Sequence, residues 1–168
     1  LKGRVSDPEP QLGDWTNHLG TLFPEVRLKR FIEMRGADGG PWRRICALPA
    51  FWVGLLYDGA PQNRVADMIA DWTQDERDTL RRNAPVSGLA TPFRGGTLGD
   101  LAADVMGLAE QGLHARGFLD GTGGDEALFL QPLHDSVARG QTPAEALLAK
   151  YQEEWDSQVA PVFDALAF

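Results

Sequence analysis

The sequence predicts an α+β chain that is mostly helical, and three observations carry that expectation. Residues Val26 to Arg35 alternate apolar and charged side chains with the two-residue period of a strand. Beyond Ala60 the apolar residues recur at helical spacing, behind hydroxyl residues that suit helix starts. Between the two lies the longest apolar run, Ile45 to Tyr57, whose 13 residues suit a buried helix and fall short of the roughly 18 that a membrane span needs.

In chain order, residues 1–13 are polar, rich in Pro and Gly and without a hydrophobic period, so they read as a linker or truncated end. Residues 14–58 form a strand, a turn and a buried helix that together carry the candidate site. Residues 59–168 form the helical remainder of the same domain. Within the strand, Val26, Leu28, Ile32 and Met34 share one face, expected to be half-buried. Arg27, Lys29, Phe31, Glu33 and Arg35 share the other, and Arg30 is out of place on the apolar side. Gly20 to Phe23 offers a weak second strand. Gly36 to Gly40 and then Pro41 end the pattern.

Leu48 to Asp58 reads as a helix buried on most sides. Val65, Met68, Ile69 and Trp72 follow Pro61 at helical spacing, and Leu98, Leu101, Val105, Leu108, Ala109 and Leu113 mark a longer amphipathic helix. Thr73 with Glu76, Thr97 with Asp100, and Thr142 with Glu145 are three start signals. In each the hydroxyl suits an orphan N–H and the carboxylate three residues on reaches back. Gly117 and Gly140 follow Arg116 and Arg139 as left-handed stops. Further helices are expected over Asp125 to Arg139, Thr142 to Tyr151 and Ser157 to Leu166, with the five tryptophans as core anchors. One strand cannot make a sheet, so a partner chain or an N-terminal region beyond these residues is expected to complete it.

The formal net charge is −8, which argues against a nucleic-acid binder. The excess is uneven: residues 1–58 carry eight basic and seven acidic groups, whereas residues 59–168 carry eight and seventeen. Six basic groups (Arg27, Lys29, Arg30, Arg35, Arg43 and Arg44) fall between Glu25 and Arg44, a local patch that suits a small anion. No signal peptide and no membrane span are visible. The single cysteine, Cys46, fits a reducing compartment and reads as an inert buried thiol, so a cytoplasmic location is expected.

Arg27, Glu33 and Arg35 are the residues best suited to chemistry. An arginine offers a planar fork for carboxylate or phosphate, and a carboxylate beside it can hold Mg²⁺. The same Glu-x-Arg pattern also fits a structural ion pair. The glycine run suits either a plain tight turn or an anion cradle, although it lacks the spacing of a phosphate-binding loop. His18, His114 and His134 are scattered, without metal-ligand spacing, and His18 alone lies near the basic patch.

The stretch HLGTLFPEVRLKRFIEMRGADGGPWRRICALPAFWVGLLYD, His18 to Asp58, resembles the signature of glutamate-cysteine ligases of the plant and proteobacterial type. The likeness continues through Ala70 to Arg77, Pro85 to Gly96, Gly140 to Tyr151 and Val159 to Phe168. It implies the C-terminal part of a longer enzyme whose chamber is an antiparallel sheet related to that of glutamine synthetase. The enzyme would use ATP and Mg²⁺ to join the γ-carboxylate of L-glutamate to L-cysteine through γ-glutamyl phosphate, the first step of glutathione synthesis.

By the same resemblance Glu33 is a Mg²⁺ ligand, Arg35 meets the transferring phosphoryl group, and Arg27 meets a substrate carboxylate or phosphate. Thr21, His18 and Asp38 line the pocket. The partners implied are glutamate, cysteine, ATP and the N-terminal region of the same enzyme, without which this piece is expected to be inactive. The competing expectation is a non-enzymatic helical module that binds a ligand or partner, because the chain from Ala60 onward carries capping signals but no chemistry.

Overall fold

The computed structural model describes residues 9–167. The chain is α+β, mostly helical, with two small antiparallel sheets. It divides between Asp38 and Gly39 into two compact units, so the division runs through the segment 14–58 that the sequence grouped together.

In the first unit, helix α1 (Leu12–Gly20) begins inside the segment expected to be a linker, whose residues 1–8 lie outside the described residues. Its start is set by Asp14, whose carboxylate accepts from the Gln11 backbone N–H at 2.8 Å. Gly20 to Phe23 is not a strand. The long strand expected over Val26 to Arg35 is instead a hairpin of β1 (Val26–Leu28) and β2 (Ile32–Met34), paired antiparallel with Arg27 opposite Glu33. Lys29, Arg30 and Phe31 make the turn, closed by the Lys29 N–H donating to the Phe31 carbonyl at 2.9 Å. Arg30, out of place in a straight strand, is a turn residue.

Burial on this hairpin is the reverse of the expectation. Val26, Leu28 and Ile32 are exposed, at 51%, 83% and 55%, whereas Arg27, Glu33 and Arg35 are partly shielded. On the charged face Arg27, Glu33 and Arg35 shield one another through ion pairs, and on the apolar face only Met34 is partly buried.

The second unit is built around α2 (Trp42–Leu56), which starts earlier than expected and buries one face, through Ala47, Ala50, Gly54 and Leu55, while Ile45 and Leu48 are exposed. It is followed by α3 (Gly59–Ile69), capped by the Asp58 side chain, and α4 (Gln74–Ser87). A two-residue hairpin, β3 (Pro92–Phe93) and β4 (Gly96–Thr97), leads into α5 (Leu98–Arg116). The helix expected over Asp125 to Arg139 splits into a 3-10 turn, Glu126–Leu130, and α6 (Gln131–Arg139). The chain ends with α7 (Pro143–Glu153) and α8 (Pro161–Ala165), the last shorter than expected.

All three capping boxes form, with Thr73, Thr97 and Thr142 each accepting from the N–H three residues on. Gly117 and Gly140 end their helices at φ of 65° and 60°, backbone that other residues adopt only at a cost.

The core joins α2, α5, α6 and the 3-10 turn through Ala50, Leu55, Met106, Ala109, Leu113, Ala127 and Leu130, with Trp52, Val105 and Val137 packed against it. Leu113 and Leu130 are wholly buried. The closest approach is backbone to backbone. A Cβ on Gly54 would stand 2.1 Å from the Ala109 carbonyl oxygen, and one on Gly112 1.8 Å from that of Gly54. Of the expected tryptophan anchors, Trp52 packs on this core and Trp72 meets Phe93 edge-on at 4.8 Å, but Trp15 and Trp42 are largely exposed. Cys46 is half-buried rather than buried. No described helix is long and apolar enough to cross a membrane.

The β3–β4 hairpin, with Arg94 at φ 45° and Gly95 at φ 82°, went unanticipated. Arg94 pins it to α4, donating to Glu76 at 2.6 and 2.9 Å and to Asp71 at 2.7 Å. The Arg94 hydrogen bonds hold the Glu76 carboxyl at about 2, down from 4.5.

Candidate functional site

The candidate site is the charged face of the β1–β2 hairpin. Because Arg27 and Glu33 sit opposite each other in the ladder, their side chains meet across it: Arg27 Nε donates to Glu33 Oε2 at 2.7 Å. Lys29 Nζ approaches the same oxygen at 3.4 Å, and Arg35 Nη1 reaches Oε1 at 3.4 Å. Arg27 Nη1 also reaches the Gly20 carbonyl at 3.4 Å, tying the end of α1 to the hairpin. The Arg35 guanidinium lies 5.0 Å from the Phe23 ring centre, and its backbone N–H donates to the Glu25 carbonyl at 2.7 Å.

One carboxylate is therefore shared by three cations, leaving a net positive face whose two guanidinium groups are held in place. The Arg27 hydrogen bond, helped by the charges of Arg27 and Lys29, lowers the Glu33 carboxyl from 4.5 to about 2. The same bond raises the Arg27 pKa.

Glu33 and Glu76 both have folded pKa values below the unfolded value. Each therefore binds a proton more readily in the unfolded chain, and its stabilising share is complete above about pH 4.5 and lost as pH falls toward 2. Urea unfolding midpoints are expected to fall between pH 6 and pH 3, and to fall less in Arg94→Ala, which loses the Glu76 share. Identical pH dependences in the two proteins would contradict the assignment.

His18 and Thr21 do not enter the ion pairs of this cluster. His18 and Thr21 end α1: the Thr21 hydroxyl donates to the His18 carbonyl at 2.7 Å and His18 lies 6.0 Å from Trp15, ring centre to ring centre. Asp38 is exposed in the loop after β2. Lys29, not singled out beforehand, joins through the turn, where a bend at residues 29–31 brings its ammonium back over Glu33.

His114 and His134 prove to be neighbours. Both approach Glu110, at 3.8 and 3.9 Å, and His114 Nδ1 pairs with Asp125, fastening α5 to the 3-10 turn and α6. As arranged, the hairpin does not fit a Mg²⁺ site. Glu33 is its single carboxylate ligand, both oxygens are engaged by cations that repel a metal ion, and no group of three His, Cys, Asp or Glu suited to a metal occurs among the described residues.

The family described as Glutamate-cysteine ligase family 2 matches residues 3–165, nearly the whole chain. The chain belongs to this family. It is 54% identical over 159 residues to glutamate-cysteine ligase A, chloroplastic, of Oryza sativa subsp. indica, which covers 95% of this chain and 31% of the rice protein. Identity is 55% to the chloroplastic ligase of Arabidopsis thaliana and 56% to that of Solanum lycopersicum, each over 95% of this chain and 29% of the relative.

This member of the glutamate-cysteine ligase family thus spans about a third of the length of the curated relatives it matches. The expected cytoplasmic location is corrected here: those close relatives are chloroplastic proteins, and a single cysteine does not distinguish one reducing compartment from another.

Proposed function

We propose that the chain is part of an ATP-dependent ligase that joins the γ-carboxylate of L-glutamate to the amine of L-cysteine through γ-glutamyl phosphate, the first step of glutathione synthesis. The observation that carries this reading is the pair of arginines, Arg27 and Arg35, fixed on one hairpin face by a shared carboxylate in a member of this family. A carboxylate does not yield to an amine at neutral pH until its oxygen is a good leaving group, so the reaction needs an acyl phosphate. Cationic groups must then balance the charge on the transferring phosphoryl. In this reading Arg35 meets that phosphoryl and Arg27 a substrate carboxylate or phosphate, with Glu33 holding both forks at the right angle. Thr21, His18 and Asp38 line the approach.

ATP is the co-substrate this activity implies, with Mg²⁺ supplying charge neutralisation of the phosphates. No step is assigned to a metal at Glu33. The proposed chamber is an antiparallel sheet like that of glutamine synthetase, to which β1 and β2 add and whose other strands come from the rest of the ligase. The exposed apolar side of the hairpin and the one-third coverage of the relatives support that reading.

In a full-length ligase containing this chain, Arg35→Ala is expected to lower kcat/KM for glutamate by about 100-fold or more. The 168 residues alone are expected to form no γ-glutamylcysteine. Unchanged turnover in Arg35→Ala would remove the role, and ATP-dependent product from the 168 residues would remove the need for other strands.

A further inference from the structure

A second cationic pocket lies within the unit that begins at Gly39. A cavity of about 240 Å³ is bounded by Arg43 and Arg44 in the first turn of α2, by Leu147 and Lys150 on α7, and by Leu166 after α8. It adjoins an apolar cavity of about 310 Å³, lined by Phe51, Met106, Leu133 and Val137, and the two share Arg44 and Pro143. Together they fall within the roughly 300–1,000 Å³ range typical of sites for small molecules.

The charges are unbalanced. Burial first, and then the neighbouring positive charges of Arg43 and Arg139, push the Arg44 guanidinium below its ordinary value, while Asp135 offsets them only in part. Lys150 is met by Glu154, at 3.6 Å on the exposed side of α7. Around Arg44 the charges of Arg43 and Arg139 thus outweigh that of Asp135, and its Nη2 is anchored by donating to Ser136 Oγ at 3.2 Å.

We infer that this pocket binds a small organic anion, a carboxylate or phosphate carried on an apolar body, with Arg43, Arg44 and Lys150 at the charged end and the Phe51–Met106 cavity around the body. An anion there relieves the mutual repulsion of the cations, and an arginine fork half-removed from water holds it more firmly than a solvated lysine does. The apolar cavity provides the surface that a bare inorganic anion leaves unused. The site is independent of the ligase reading, since no residue of the β1–β2 hairpin takes part.

The test is calorimetric titration of the 168-residue chain with octyl phosphate, octanoate and inorganic phosphate, each below any micellar concentration. Saturable one-to-one binding is expected for an octyl probe, the tighter of the two identifying the head group, with inorganic phosphate weaker by about tenfold or more. Arg43 and Lys150 are exposed, so the Arg43→Gln/Lys150→Gln double variant should keep its helical circular dichroism while its Kd rises about tenfold or more. Arg64→Gln, exposed on α3 and outside both cavities, should leave Kd unchanged. The inference fails if neither octyl probe saturates, if inorganic phosphate binds as tightly as octyl phosphate, if the double variant binds like the parent, or if Arg64→Gln weakens binding as much as the double variant does.

Discussion

Replacing Gly112 by alanine is expected to cost about 3 kcal/mol of stability and to lower the thermal midpoint by roughly 6–12 °C. The new Cβ would stand 1.8 Å from the Gly54 carbonyl oxygen, and the reciprocal Cβ on Gly54 2.1 Å from that of Ala109. Both obstructions are backbone atoms of helices, so no rotamer change relieves them. The helices must part instead, and parting them opens the layer that holds Leu55, Met106 and Leu113. Gly54→Ala should act in the same direction. Gly107 lies on the same helix with no atom within 4 Å of its would-be Cβ, so Gly107→Ala should raise stability by up to about 1 kcal/mol through helix propensity. Opposite signs at positions 107 and 112 in thermal unfolding would isolate the crossing as the cause; a Gly112→Ala midpoint equal to the parent's would rule the crossing out.

Glu33→Gln, in the proposed full-length ligase, is expected to lower kcat/KM by about 10- to 100-fold, because it frees two guanidinium groups from a shared anchor and leaves three cations facing one another. A counter-ion and a metal ligand predict different companions to that loss. If Glu33 positions Arg27 and Arg35, the Mg²⁺ concentration for half-maximal rate stays where it was and the KM for glutamate rises. If Glu33 holds the metal, the Mg²⁺ requirement rises instead, and the positioning role is refuted.

The parts of the fold legible in the sequence are those decided within a few residues. Thr73, Thr97 and Thr142 cap their helices because hydroxyl and carboxylate three positions apart satisfy the same end, wherever the helix later packs. The hairpin was hidden because alternation records which face a residue takes and not where the chain reverses; Arg30 on the apolar side was the available cue. β3 and β4 are two residues each, too short for any period, and their turn sits on an arginine at positive φ where PFRGG invites a glycine instead. Gly54 and Gly112 look ordinary in their own segments and acquire meaning only when α2 meets α5.

At the candidate site, Arg27, Glu33 and Arg35 were found by their shared face. Lys29 shares that face in the sequence, but its approach to Glu33 depends on the turn. The place of His18 and Thr21 outside those ion pairs follows from where α1 ends, which no pattern of residue types encodes.

The turn at Lys29, Arg30 and Phe31 fixes which residues face each other across the hairpin. Three residues between Leu28 and Ile32 keep the two strands in phase, so that odd-numbered positions on both point the same way. A slip of the ladder by one residue would send Arg27 to one side of the ribbon and Glu33 to the other, undoing their ion pair without altering a single charged residue, while Arg35, two positions from Glu33, would stay beside it. The spacing is as much a part of that charged face as the guanidinium groups themselves.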